Sequence, residues 1–210
     1  MKFKTFFSEQ ARKPSGPFGR FIMPIIFDQG NAVLNKLMRD ALELQESDRV
    51  LEIGFGTGKF LKETAELLNN GCIEGIDVSS TMVEMAKRRN RKFIAKGRVI
   101  IQQGDFEKSA YHDAGYDKVC SANTIYFWSN LDDCVRKIFR ILKPGGKVIL
   151  AFEDIAQLEA RPLDTGIFYF YSLQDIENIL RHNGFPEGID ILTEEIKSQK
   201  YHCAVATKKA

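Results

Sequence analysis

The chain has 210 residues, 44% hydrophobic and 28% charged, the make-up of one globular domain whose core can hold a sheet covered on both faces. Its net charge of +2 is too small to point by itself to a nucleic acid or an anionic membrane. No apolar run reaches the ~18–20 residues of a membrane span, and the opening MKFKTFFSEQARK mixes charges with aromatics where a secretory signal carries an apolar core.

Residues 1–46 stand apart from the rest. Lys2, Lys4, Arg12, Lys13 and Arg20 against Glu9 make this end basic. Segment 11–30 holds three prolines and three glycines among large apolar residues, which predicts an irregular flap, neither a regular strand nor a long helix. Its Phe18, Phe21, Ile22, Met23 and Ile25 suit a lid over a site, or weak peripheral contact with a membrane surface. Asn31–Leu44 then carries Val33, Leu34, Leu37, Met38, Ala41 and Leu42 at helical spacing.

From Arg49 the pattern alternates. Strands are predicted at 49–53, 72–76, 98–102, 116–121, 147–152, 188–196 and 200–207, and helices at 58–69, 79–92, 131–142 and 172–183. This predicts an α/β domain over 47–210, with a mainly parallel, doubly wound sheet. Only Lys197-Ser198-Gln199 links the last two strands, so they form an antiparallel hairpin at one edge. The four cysteines, Cys72, Cys120, Cys134 and Cys203, form no CxxC pair and have no histidine at ligand spacing. They read as small apolar residues in a reducing, cytoplasmic compartment, with no metal.

Chemistry concentrates where strands end. In Val50-Leu51-Glu52-Ile53-Gly54-Phe55-Gly56-Thr57-Gly58 an apolar strand ends in an acid, and three glycines follow at alternate positions. Such a turn lets backbone lie against a ligand, which a Cβ would prevent, and it leads into a helix. A dinucleotide fold prefers GxGxxG, whose third glycine would fall at Lys59. Asp77 ends the second strand, where a carboxylate can accept from both hydroxyls of a ribose or cap the following helix. Gly104-Asp105-Phe106 follows the third strand, an acid for an exocyclic amine beside an aromatic ring. After the fourth strand come Asn123, Tyr126, Phe127 and Trp128, which suit either a pocket wall or a core cap. Leu142-Lys143-Pro144-Gly145-Gly146-Lys147-Val148 is a helix stop and strand start with no chemistry of its own.

Taken in order, VLEIGFGTG, GIDVS, GDF, DKVCSANTIYFW and LKPGGKV resemble the class I S-adenosylmethionine-dependent methyltransferases, and within them the small-molecule group like the ubiquinone/menaquinone methyltransferases. The resemblance covers residues 47–210 and implies a Rossmann-like seven-stranded sheet of order 3-2-1-4-5-7-6 with the last strand antiparallel. It implies S-adenosyl-L-methionine as cofactor, with Glu52, Gly54, Gly56 and Gly58 along its methionine and ribose. Asp77 would hold the ribose, Asp105 and Phe106 the adenine, and Ser121, Ala122 and Asn123 the sulfonium. Phe55, Val78 and Gly104 complete that lining.

Such a donor needs only an oriented acceptor and exclusion of water, so direct in-line transfer without metal or covalent intermediate is expected. His112, His182 and His202 read as surface or capping residues, and no general base is named. The acceptor pocket is expected from the flap, from Asn123, Tyr126 and Trp128, and from 153–171 with Arg161, Phe168, Tyr169, Phe170 and Tyr171. With Phe18 and Phe21 these predict an apolar, aromatic cavity for a small-molecule, lipid or quinone-like acceptor. Ser121-Ala122-Asn123-Thr124 replaces the Asn/Asp-Pro-Pro-aromatic motif of base-methylating enzymes, which speaks against nucleic acid. A cofactor-binding module without activity and a nicotinamide-dependent oxidoreductase remain as alternatives.

Overall fold

The computed structural model describes residues 2–209. Seven strands form one sheet in the order β3-β2-β1-β4-β5-β7-β6. They are β1 (Arg49–Ile53), β2 (Cys72–Asp77), β3 (Val99–Gln103), β4 (Tyr116–Ala122), β5 (Leu142–Glu153), β6 (Ile189–Ile196) and β7 (Gln199–Thr207). The first five pair in parallel, and β7 runs antiparallel between β5 and β6. The expected architecture and hairpin are therefore present. The largest strand-boundary difference is in β5, which starts at Leu142, because Leu142 already pairs with Tyr116 across an irregularity before Lys118 meets Lys147.

Alternating strand residues divide the core in two. Leu51, Ile53, Val148, Leu150 and Phe152 face the layer of α8 (Leu131–Ile141) and α10 (Leu173–His182). Val50, Ile149 and Ala151 face α4 (Ala32–Leu42), α5 (Lys59–Leu67) and α6 (Ser80–Arg89). Both faces of the central strands are covered, which is why they read as continuous apolar runs. Cys120 and Cys203 lie in one core and Cys134 in the other, all free and buried, while Cys72 is half-buried. Burial pushes the Cys134 and Cys203 thiols up to about 12, so neither is a nucleophile at neutral pH.

The N-terminal segment, expected as a helical lid with an irregular stretch over 11–30, is built of short helices. It consists of α1 (Lys2–Arg12), α2 (Gly16–Phe21) and α3 (Met23–Gly30). The prolines do not break these helices because Pro17 and Pro24 sit in the first turns of α2 and α3. An N–H missing there has no partner to lose. α4 packs into the sheet layer beside α5, so only residues 2–30 project as a separate flap. Two further short helices complete the chain, α7 (Arg91–Ile94) after α6 and α9 (Ile155–Glu159) after β5. The cap of α6 is Ser79, whose hydroxyl accepts from the Met82 N–H at 3.2 Å, so Asp77 is spared that role.

Candidate active site

The glycine turn follows β1 directly, with Gly54, Gly56 and Gly58 at φ +76°, +51° and +70°. These three glycines do different work. A Cβ on Gly54 would lie 2.4 Å from the Thr124 hydroxyl, and one on Gly58 would lie 2.5 Å from the Ala86 Cβ. Their smallness serves packing. A Cβ on Gly56 would meet nothing nearer than Phe27 at 3.6 Å, so this residue presents bare backbone to open space.

Asp77 holds that backbone in place. Its Oδ2 accepts from the Gly56 N–H at 2.9 Å and its Oδ1 from the Ser79 N–H at 2.8 Å. Burial pushes the carboxyl up to about 6, against the pull of those two backbone donors. Glu52 lies deeper, 3% exposed, and its Oε2 has no hydrogen-bond partner. Burial, with the neighbouring Asp77 charge, pushes it up to about 8. A buried carboxylate with a vacant oxygen is a site for a cationic or N–H-bearing group. It borders a polar recess of about 30 Å³ together with Phe55, Asn31, Asn35 and Lys59. Phe55 is otherwise a core residue.

The main cavity, about 360 Å³, opens at the carboxyl ends of the strands. Gly54, Gly56, Asp77 and Val78 line one end, with Gly104, Asp105 and Phe106 beside them. Gly58 lines neither space. Asp105 accepts from the Glu107 N–H at 3.0 Å and stands 3.6 Å from Lys108. Lys137 pins this loop by donating to the carbonyls of Phe106, Glu107 and Ser109. Ala122, Asn123, Tyr126 and Trp128 form the middle of the wall. Tyr126 contributes only its ring, because its hydroxyl accepts from the Glu153 N–H at 2.6 Å. Trp128 is buried against Phe106, with ring centroids 6.1 Å apart.

The far end is apolar and comes from distant segments. Phe7 of α1 and Met23, Ile26 and Phe27 of α3 meet Leu158, Leu163 and Phe168 from beyond β5. Phe168 joins the wall, but Tyr169, Phe170 and Tyr171 do not, and neither do Phe18 and Phe21. Ser121 is also elsewhere, its hydroxyl donating to the Ile53 carbonyl. One polar cluster breaks the apolar surface. Glu153, the last residue of β5, accepts from Asn123 Nδ2 and Arg161 Nη1, both at 3.2 Å, and pairs with Arg161 Nη2 as well. Asn123, at φ +57°, also donates to Asn31 at 2.9 Å, and its own Oδ1 is buried without a partner. Glu153 escaped the sequence reading as a site residue; an acid at the carboxyl end of a central strand was the available signal. His202 is not a surface residue. It is buried between Thr193 and Asp154, which caps α9, and it lies outside the cavity wall.

Comparison with known proteins gives a consistent result. A family model described as a methyltransferase domain matches residues 50–146. The uncharacterized methyltransferase YdaC of Bacillus subtilis is 33% identical over 180 residues, spanning 86% of this chain and 94% of that protein. The ubiquinone/menaquinone biosynthesis C-methyltransferase UbiE of Pseudomonas fluorescens is 30% identical over 116 residues, 53% of this chain and 45% of that one. The Haemonchus contortus phosphoethanolamine N-methyltransferase 2, solved with S-adenosyl-L-methionine, superposes with a TM-score of 0.77 at 19% identity. That match covers 98% of this chain and 60% of the other, and it carries the fold.

Proposed function

This chain belongs to the class I S-adenosylmethionine-dependent methyltransferases, and we propose that it methylates a small, apolar or aromatic acceptor by direct in-line transfer. The observation that carries the acceptor class is the change of character along one cavity, from the buried Asp77 beside Gly56 to the apolar wall under α1 and α3. The relative UbiE acts in quinone biosynthesis by its name, which supports an acceptor bearing an apolar ring.

The residues present fit the cofactor. Glu52, with its vacant Oε2, suits the ammonium of the methionine half, and bare Gly56 leaves room beside it. Asp77 suits the ribose hydroxyls, with Val78 alongside, and Asp105 suits the adenine amine with Gly104 and Phe106 at the ring. Ala122 and Asn123 would border the sulfur. S-adenosylmethionine supplies a methyl group already activated by a positively charged sulfur. The protein orients the acceptor and excludes water, a contribution of up to ~7–11 kcal/mol for well-placed reactants. Met23, Phe27 and Phe168 clamp its apolar body. The vacant Asn123 Oδ1, with Glu153 beside it, accepts a hydrogen bond from its hydroxyl or amine. Glu153 is already engaged by Arg161 and Asn123, so its role is to orient the acceptor.

Calorimetry with S-adenosylmethionine, followed by a methyl-release screen over quinols, phenols, amines and phospholipids, tests this reading. Heat with product on ring-bearing apolar acceptors is expected. Heat without product from any acceptor identifies a binding module, and product only from charged, ringless acceptors overturns the acceptor class.

A further inference from the structure

The segment 16–30 is apolar on two sides, and a lid needs only one. Its two helices run on through Ile22, whose N–H donates to the Phe18 carbonyl and whose carbonyl accepts from the Ile26 N–H. Met23, Ile26, Phe27 and Gly30, spaced i, i+3, i+4 and i+7, line the cavity. Phe18, Phe21, Ile22 and Ile25 repeat that spacing about 140° around the helix, at 3.6 residues per turn. This second stripe faces solvent: Phe21 is 66% and Ile25 56% exposed. Phe18 meets Phe6 of α1 at 5.2 Å, and Phe3, 72% exposed, extends the patch. Half of the large apolar side chains exposed among the described residues lie between Phe3 and Ile26. A contiguous patch of this kind marks a docking surface.

Charge says what docks. Residues 1–27 carry five basic residues against one acid, a net +4, so the remainder of the chain is −2 within a total of +2. Arg12, Lys13 and Arg20 are exposed and form no ion pair among the described residues. The one acid of α3, Asp28, is turned inward and paired with Arg89 at 2.9 Å. Two copies meeting through this face would oppose like charges. An anionic bilayer answers both features at once, with phosphates for the basic residues and an acyl boundary for the apolar stripe.

We propose that α1–α3 dock flat on an anionic membrane surface, with Phe3, Phe21 and Ile25 inserted and Lys13 and Arg20 at the headgroups. No helix among the described residues is long or apolar enough to cross a membrane, so the contact is interfacial. The inner stripe of the same helix walls the cavity, so the acceptor enters from the lipid phase. This last step rests on the methyl-transfer reading; the docking itself does not.

Flotation of the full chain with vesicles tests it, using phosphatidylcholine alone and phosphatidylcholine mixed with phosphatidylglycerol. Binding to the mixed vesicles that weakens with added salt is expected. Phe21→Ser with Ile25→Ser lowers that binding by about tenfold or more, through lost apolar insertion. Lys13→Glu with Arg20→Glu removes the preference for mixed over neutral vesicles. Both variants keep the heat of S-adenosylmethionine binding, since none of these residues lines the cavity, and that heat also reports that they fold. No vesicle binding by the parent chain at low salt overturns the proposal. So does a dimer in sedimentation that Phe21→Ser with Ile25→Ser dissociates. Vesicle binding by a chain that gives no heat with S-adenosylmethionine leaves the docking standing and overturns the methyl-transfer reading instead.

Discussion

The two ends of the cavity are built by different means. The cofactor end is backbone and acid: Gly54 and Gly56 of the glycine turn, Asp77 with its two N–H donors and the loop at 104–106, with Glu52 in the adjoining recess. The acceptor end is side chains from α1, α3, the 3-10 turn Ile125–Phe127 and the stretch beyond β5, from Phe7 to Phe168. Backbone geometry tolerates few residue types, whereas an apolar wall accepts many. The first end is therefore narrow in chemistry and the second free to vary with the acceptor.

Glycine variants break this comparison most sharply. Gly54→Ala combines a left-handed φ with a Cβ driven into Thr124, and should cost roughly 2–5 kcal/mol of stability, read as a lower thermal midpoint. Gly56→Ala meets no such clash, so it should fold with a loss of only about 1–2 kcal/mol while cofactor affinity drops in calorimetry. Equal destabilisation by the two would show that the turn does not separate packing from binding.

Asp77→Asn should weaken cofactor binding by ~1–3 kcal/mol, as for loss of charge-assisted hydrogen bonds. Because burial places this carboxyl at about 6, the affinity of the parent chain should fall as pH drops through 6 more steeply than that of Asp77→Asn, in which Glu52 still titrates. Calorimetry at pH 5, 6 and 8 checks both.

Glu52 offers a subtler test. Its folded value, about 8, exceeds the ordinary 4.5, so the folded state holds the proton more tightly than the unfolded state. That contribution to stability is complete below 4.5 and is lost as pH rises through 8. Glu52→Gln should therefore raise the melting temperature of the free protein more at pH 9 than at pH 6, and weaken cofactor binding at both. A melting advantage that does not grow with pH would remove the buried-charge account.

At the acceptor end, Glu153→Gln should leave cofactor heat unchanged while lowering kcat/KM by about 10–100-fold, the effect of misplacing a reacting group. His202→Asn, outside the cavity wall, should move neither quantity, and a loss of turnover there would reopen the search for a proton carrier.

The seven strands and the hairpin were legible because the apolar strand runs and the three-residue link at 197–199 are local facts, whereas the strand order came only from the resemblance. The acids at strand ends were legible too, since a parallel sheet delivers every such residue to one edge. The short helices within 16–30 were not legible, because Pro17 and Pro24 look like breakers until the first turn of each helix is located.

By itself the order of residues determined the fold, the glycine turn and the row of ligand-facing loops, because strand and turn geometry depends on neighbours in sequence. Only the tertiary structure decided that, of the three turn glycines, Gly56 alone has room for a Cβ and that Asp77 clamps its N–H. It also decided that Asn123, Arg161 and Glu153 meet. Those partners lie 8–30 residues apart along the chain, and only packing brings them within hydrogen-bond reach.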